Sequence, residues 1–297
     1  MGFHRVVAIL PRKSVLALVC FAVLITGCSP IHTEHHPQEN RGWSEFVQQG
    51  VADISKGNYE RGLEAMNAAL QRRPKSPRLY YNRGLCFAGM EKYGRAIDDF
   101  GRTIELAPDF VEAYNNLAWT YFSMGDTQRA VQELSRAQQK LEGSPRILYN
   151  LGLIHARMRN YDKATEYYSR AIEVQPTMAT AYNNRGVAWI RLQEYDKAIE
   201  DLSRALSLEP DKARYAYNQA IAHEERGRTE KAVSMYTKAL QKDHTFAPAY
   251  NNRGLLRFQM GVNDLGCQDL QQACNHGLCD RYRQLKQSGE CGGAMDK

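Results

Sequence analysis

No stretch of this sequence carries the marks of an enzyme. A nucleophile elbow, a phosphate loop, an HExxH pair and paired carboxylates in a Gly-bounded loop are all missing. An excess of one charge is missing too: 39 Lys and Arg face 33 Asp and Glu, a formal net charge of +6. That balance is too mild for nucleic acid to be the main partner. A membrane-length apolar run is also lacking, because the stretch from Val15 to Ile25 holds only 11 residues. Cysteine is scarce along the body. Of seven in all, only Cys86 falls between Cys28 and Cys267, and it reads as a buried thiol. The apolar fraction of 43% and the mixed charges are those of a folded chain, and 297 residues allow two ordinary domains or one repeat array.

The first residues do not read as fold. Arg5, Arg12 and Lys13 precede the short apolar run, which is the layout of a signal peptide. The run ends in Ile25-Thr26-Gly27-Cys28, which resembles the bacterial lipobox. That resemblance implies a lipid on the Cys28 thiol, cleavage before it, and a membrane anchor. Ile25 stands where leucine is commonest. An ordinary secretory signal or an uncleaved anchor is the rival reading. Removing residues 1–27 takes three positive charges with it and leaves about +3. Ser29, in place of Asp, resembles the signal for export to the outer membrane in Gram-negative lipoproteins. The expected location is therefore the cell envelope, lipid-anchored, at the outer membrane facing the periplasm. Residues 28–42 read as a lipidated tether of at most about 50 Å. His32, His35 and His36 lack carboxylate or cysteine partners at fixed spacing, so no metal and no cofactor is expected.

What the body does contain is a period. YYNRG begins at Tyr80, AYNNLA at Ala113, LYNLG at Leu148, AYNNRG at Ala181, AYNQA at Ala216 and AYNNRG at Ala249. The asparagines in register are Asn82, Asn116, Asn150, Asn184, Asn218 and Asn252, each 34 residues from the next. Ala96, Ala130, Ala164, Ala198 and Ala232 repeat at the same step, and Pro74, Pro108, Pro176 and Pro210 close four units. These marks resemble the tetratricopeptide repeat, a helix-turn-helix unit of 34 residues. The units read as 43–76, 77–110, 111–144, 145–178, 179–212, 213–246 and a divergent 247–275, followed by a cysteine-containing cap over 276–297. The first unit lacks the asparagine, and the one ending near Glu142 lacks the closing proline. The resemblance implies an all-α, right-handed solenoid of antiparallel helix pairs with a capping helix. Each pair buries its apolar face only by stacking on neighbours. In the unit starting at Ala179, Tyr182, Gly186 and Trp189 share one face of the first helix, and Ala198, Leu202 and Ala205 line the second.

In that family the first helices line a concave groove. The register asparagines would form a ladder there, each amide offering a donor and an acceptor to an extended peptide. Tyr81, Tyr149 and Tyr217 stand beside three of them and would add aromatic surface. The other reading has each asparagine bonding to a neighbouring hairpin. Arg78, Arg146 and Arg214 recur every second unit, either to meet acidic groups on a partner or as solvated helix ends. His155 and His223 stand where other units carry Phe87, Tyr121 or Trp189, and read as core substitutions.

Cys267, Cys274, Cys279 and Cys291 crowd the C-terminus. Four cysteines allow three connectivities, and zinc is a rival to disulfides. If a helix ending near Asn275 and a short one from Asp280 lie antiparallel, Cys274 meets Cys279 at the turn and Cys267 meets Cys291 at the open end. The function expected from all this is a membrane-anchored scaffold that holds partner proteins, with no enzymatic role. The alternative is a periplasmic escort for extended segments of exported or outer-membrane proteins.

Overall fold

The computed structural model describes residues 41–291. The leader, Cys28 and most of the tether lie outside the described residues. Among those described, the chain is built of α-helices, with no strand. It divides into two compact units, one running to Ile154 and the other starting at His155.

The N-terminal unit holds α1 (Arg41–Ser55), α2 (Tyr59–Arg72), α3 (Pro77–Gly89), α4 (Tyr93–Leu106), α5 (Val111–Ser123), α6 (Thr127–Lys140) and most of α7 (Pro145–Arg157). The C-terminal unit holds α8 (Tyr161–Val174), α9 (Ala179–Arg191), α10 (Tyr195–Leu208), α11 (Ala213–Glu225), α12 (Thr229–Lys242), α13 (Ala247–Gln259), α14 (Asn263–Asn275) and α15 (Asp280–Gln287). Within each unit, consecutive helices pack as hairpins and each hairpin packs on the next. The fold class is the expected one: an all-α tetratricopeptide-type array of antiparallel pairs with a terminal helix.

The periodic small residues explain the packing. A Cβ added at Gly84 would sit 2.7 Å from the Phe100 ring, and one at Gly186 would sit 2.8 Å from Leu202 Cγ. The glycine of these first helices is therefore the hole that receives the large residue of the second, and α5 and α11 carry the next smallest residue there, Ala118 and Ala220. Ala96, Ala130, Ala164, Ala198 and Ala232 are all fully buried, where a larger side chain would hold the helices apart. In the C-terminal unit Leu202, Tyr217 and Tyr236 form the centre of one continuous core, with Tyr182 and Trp189 packed at its edge.

Each first helix ends in the same way. Residues 57, 91, 125, 159, 193, 227 and 261 all have positive φ. The next amide then reaches back five residues, as from Lys92 to the Phe87 carbonyl, from Glu194 to Trp189 and from Arg228 to His223. This satisfies a carbonyl the helix end would otherwise leave open. Four of the seven positions are glycine, but Glu91, Arg159 and Gln193 adopt the left-handed conformation at φ 58°, 61° and 63°. The second helices stop two residues before Pro74, Pro108, Pro176 and Pro210, as proline's missing amide requires.

Candidate interaction surface

The register asparagines lie on the first helices, and the structure shows where several of their amides go. Asn116 Nδ2 donates to the Tyr81 hydroxyl at 2.8 Å, and Asn252 Nδ2 donates to Tyr217 at 3.1 Å. Asn218 Nδ2 donates to Asn183 Oδ1 at 2.8 Å. Every one of these bonds reaches back 35 residues, from one hairpin to the residue beside the register asparagine of the previous hairpin. The alternation of Tyr and Asn at that neighbouring position thus supplies the acceptors.

Two of the expected groove aromatics are corrected by this geometry. Tyr217 is fully buried and Tyr81 is 7% exposed. Tyr217 lies 5.0 Å from Phe246 and 5.7 Å from Tyr236, and Tyr81 lies 4.9 Å from Phe110. These rings fill the joint between hairpins and offer no face to a ligand, because each next hairpin begins with an aromatic that covers them. Burial pushes the Tyr217 phenol up from its ordinary value, so it stays a neutral partner for Asn252. Tyr149 is half-buried. Asn116 and Asn218 are likewise buried, and their amides serve the stack.

The N-terminal unit departs from this pattern. Asn82 and Asn150 are half-buried, and neither makes a side-chain hydrogen bond among the described residues. For Asn82 the reason is plain, since the residue 35 positions earlier is Val47, which offers no side-chain acceptor. On α5, Asn115 Oδ1 and Trp119 Nε1 are buried with no hydrogen-bond partner, one acceptor and one donor a helical turn apart. Trp119 packs edge-on against Phe122 at 5.4 Å. Asn184, in the C-terminal unit, accepts from Asn183 at 2.9 Å.

Three arginine–aspartate pairs went unread in the sequence. Arg83 pairs with Asp99, Arg185 with Asp201 and Arg253 with Asp269, each through two hydrogen bonds of 2.7–2.9 Å. The partners are always 16 residues apart and join the two helices of one hairpin. The third nitrogen of each fork reaches the preceding hairpin, at Asn67, Ser169 or Thr237. Each guanidinium also stacks over a tyrosine one turn earlier, at 5.3–5.7 Å. The signal was available: NRG follows the register three times, and aspartate stands 16 residues beyond each arginine. Where the arginine is absent, the partner changes. Leu151 has Tyr167 sixteen residues on in the sequence, and Gln219, with Met235 at that spacing, bonds to Ser203 instead at 2.6 Å.

Arg146 of the second arginine series pairs with Glu112 on α5. His155 and His223 are buried, with Nδ1 unpartnered, and His155 stacks on Tyr167 at 5.3 Å. Burial, aided by Lys163 near His155 and by Lys231 and Arg228 near His223, holds both imidazoles below the ordinary histidine range. Cys86 is a buried free thiol whose pKa burial pushes up to about 12. At the C-terminus, Cys267 is bonded to Cys291 and Cys274 to Cys279. Among the described residues no group of three or more His, Cys, Asp or Glu is placed to hold a metal.

Comparison with known proteins agrees with this architecture. Tetratricopeptide repeat profiles match residues 47–89, 77–110, 100–132, 145–178, 179–212 and 216–247. No curated protein sequence matches the chain. Among solved structures, a tetratricopeptide repeat protein from Parabacteroides merdae ATCC 43184 is 18% identical, with 83% of this chain and 98% of that one aligned and a TM-score of 0.60. MamA from Desulfovibrio magneticus RS-1 is 18% identical over 57% of this chain and 94% of its own, with a TM-score of 0.52. YrrB, described as a repeat protein with an unusual peptide-binding site, is 19% identical over 64% of this chain and 98% of its own, with a TM-score of 0.50. With the period, the paired helices and the profile matches in agreement, this chain belongs to the tetratricopeptide repeat family.

Proposed function

We propose that the protein is a lipid-anchored scaffold of the bacterial cell envelope that holds partner proteins on the asparagine-bearing face of its first helices. The anchor rests on the leader and on Ile25-Thr26-Gly27-Cys28, with Cys28 taking the lipid and Ser29 directing the chain to the outer membrane. The binding face rests on one observation in the N-terminal unit. There Asn82 and Asn150 are half-buried and keep their amides free of side-chain bonds. Polar atoms left unpaired in this way favour a partner that brings the missing donors and acceptors.

An escort for extended segments is the second reading, favoured by the same two amides, each of which offers a peptide backbone a donor and an acceptor. It comes second because Asn116, Asn218 and Asn252 bond between hairpins. That leaves no unbroken row of amides for a long extended chain.

Two experiments test these readings. A Cys28→Ala variant should accumulate as an unprocessed precursor, and normal maturation with membrane retention would refute the lipid anchor. Affinity capture from envelope extract, with mass-spectrometric identification, should recover a partner that the Asn82→Ala/Asn150→Ala variant no longer holds. Capture undiminished by that variant would remove the face from the account, and a partner bound only when unfolded would promote the escort reading.

A further inference from the structure

The last hairpin is closed by α15, an eight-residue helix that buries a single side chain, Leu285. Leu285, Leu270 and Cys291 form a small core of their own, with Leu255, Phe258, Cys267 and Tyr282 packed around it. The chain reaches this core by two turns. Gly277, at φ 94°, reverses it after α14, and Gly289, at φ 79°, brings Cys291 back so that its amide meets the Leu285 carbonyl at 3.1 Å. The Cys267–Cys291 bond then ties the far end of the segment to α14 across 24 residues. Cys274–Cys279 spans only five residues and closes the turn.

The hairpin beneath does not need this segment. Asp269 on α14 is held by both Arg253 and Arg257 of α13, and Leu270 sits in the hole at Gly254. By contrast, α15 is short and mostly polar; beyond the turn that Cys274–Cys279 closes, it is held by Leu285, with Tyr282 at its edge, and by the Cys267–Cys291 bond. A helix of this length is marginal alone, and burying one leucine does not offset the ordering of about a dozen residues.

We infer that α15 is a redox-held lid: reduction of Cys267–Cys291 releases it and uncovers the apolar face of Leu255, Phe258 and Leu270 on the last hairpin. The reductant is a dithiol. One of its thiolates attacks Cys267 Sγ, the more exposed sulfur, forming a mixed disulfide and expelling the Cys291 thiolate. The second reductant thiol then displaces Cys267. Two electrons pass to the protein, both cysteines take up protons as thiols, and the reductant leaves as its disulfide.

Hydrogen exchange read by mass spectrometry on the full chain, before and after dithiothreitol, tests the lid. Protection across 279–291 should fall by on the order of a hundredfold, the factor that closing a loop of this length contributes. Binding of an apolar dye should rise, while α11 to α14 keep their protection. The Cys267→Ser/Cys291→Ser variant should behave as the reduced chain without any reductant. Unchanged protection of α15 in either preparation overturns the inference. So does an equal loss across α13 and α14, which would make the bond a support of the hairpin and not of a lid.

Discussion

Arg185 grips Asp201 through two parallel hydrogen bonds of 2.7 Å, and the aspartate is almost wholly out of solvent. A planar guanidinium matches a carboxylate in this way, and lysine cannot reproduce it. The pair joins α9 to α10, and its remaining nitrogen reaches Ser169 on α8, so one side chain ties three helices. Arg185→Leu strands a buried carboxylate and should cost about 3 kcal/mol in urea denaturation. The unit from 145 to 178 carries Leu151 and Tyr167 at these two positions. Arg185→Leu with Asp201→Tyr should therefore recover most of the loss. A double variant no better than the single one would show that the pair acts independently of its register.

The hydroxyl of Tyr217 is a joint between hairpins. Tyr217→Phe keeps the ring against Phe246 and removes only the oxygen that Asn252 reaches. Because Asn252 also donates to Tyr236 at 3.3 Å, the loss should be about 1 kcal/mol, measured as a lower thermal midpoint. Asn252→Ala should cost more, since it leaves both hydroxyls without that donor.

Gln193 sits at φ 63°, a conformation that glycine adopts without strain. Gln193→Gly should raise stability by about 1 kcal/mol. Gly227→Ala, at φ 78° in the same register, should lower it by about the same amount. Equal denaturation midpoints for wild type and Gln193→Gly would argue against strain at this turn.

Stability should fall in mild acid. His155 and His223 have folded pKa values below the ordinary 6.5, with burial the main cause. Above about 6.5 both states hold the ring neutral and the histidines contribute no penalty. As pH falls below that value the unfolded chain takes up a proton that the folded one refuses. The folded state loses ground until pH passes the lowered value, after which the loss levels off. His223→Phe, the residue type found at Phe87, should flatten this dependence between pH 7 and pH 5, as read by denaturant midpoints.

The sequence carried the stack plainly and the polar bonds poorly. The 34-residue step, the glycine holes and the closing prolines are local, so helix pairs and their turns could be placed from composition and spacing. The C-terminal sulfurs are joined as an antiparallel arrangement of α14 and α15 requires, because both partners lie within one short segment. The destinations of the Asn116 and Asn252 amides could not be chosen, since they depend on how far one hairpin is offset from the next. That offset brings position i opposite i−35, which no spacing within a unit reveals. Arg83 and Asp99 were legible in principle, but a charged pair inside a hairpin looks, in sequence, like two surface residues.

The backward reach of the asparagines also constrains how such a chain can change length. Each contact joins a residue to one a fixed distance earlier, so duplicating or excising a whole 34-residue block between residues 111 and 246 hands the next amide an acceptor of the same kind or swaps Tyr for Asn. Inserting two or three residues inside a helix does not, because it rotates the donor off its row. Growth by entire modules is thus tolerated, and lengthening within one is not.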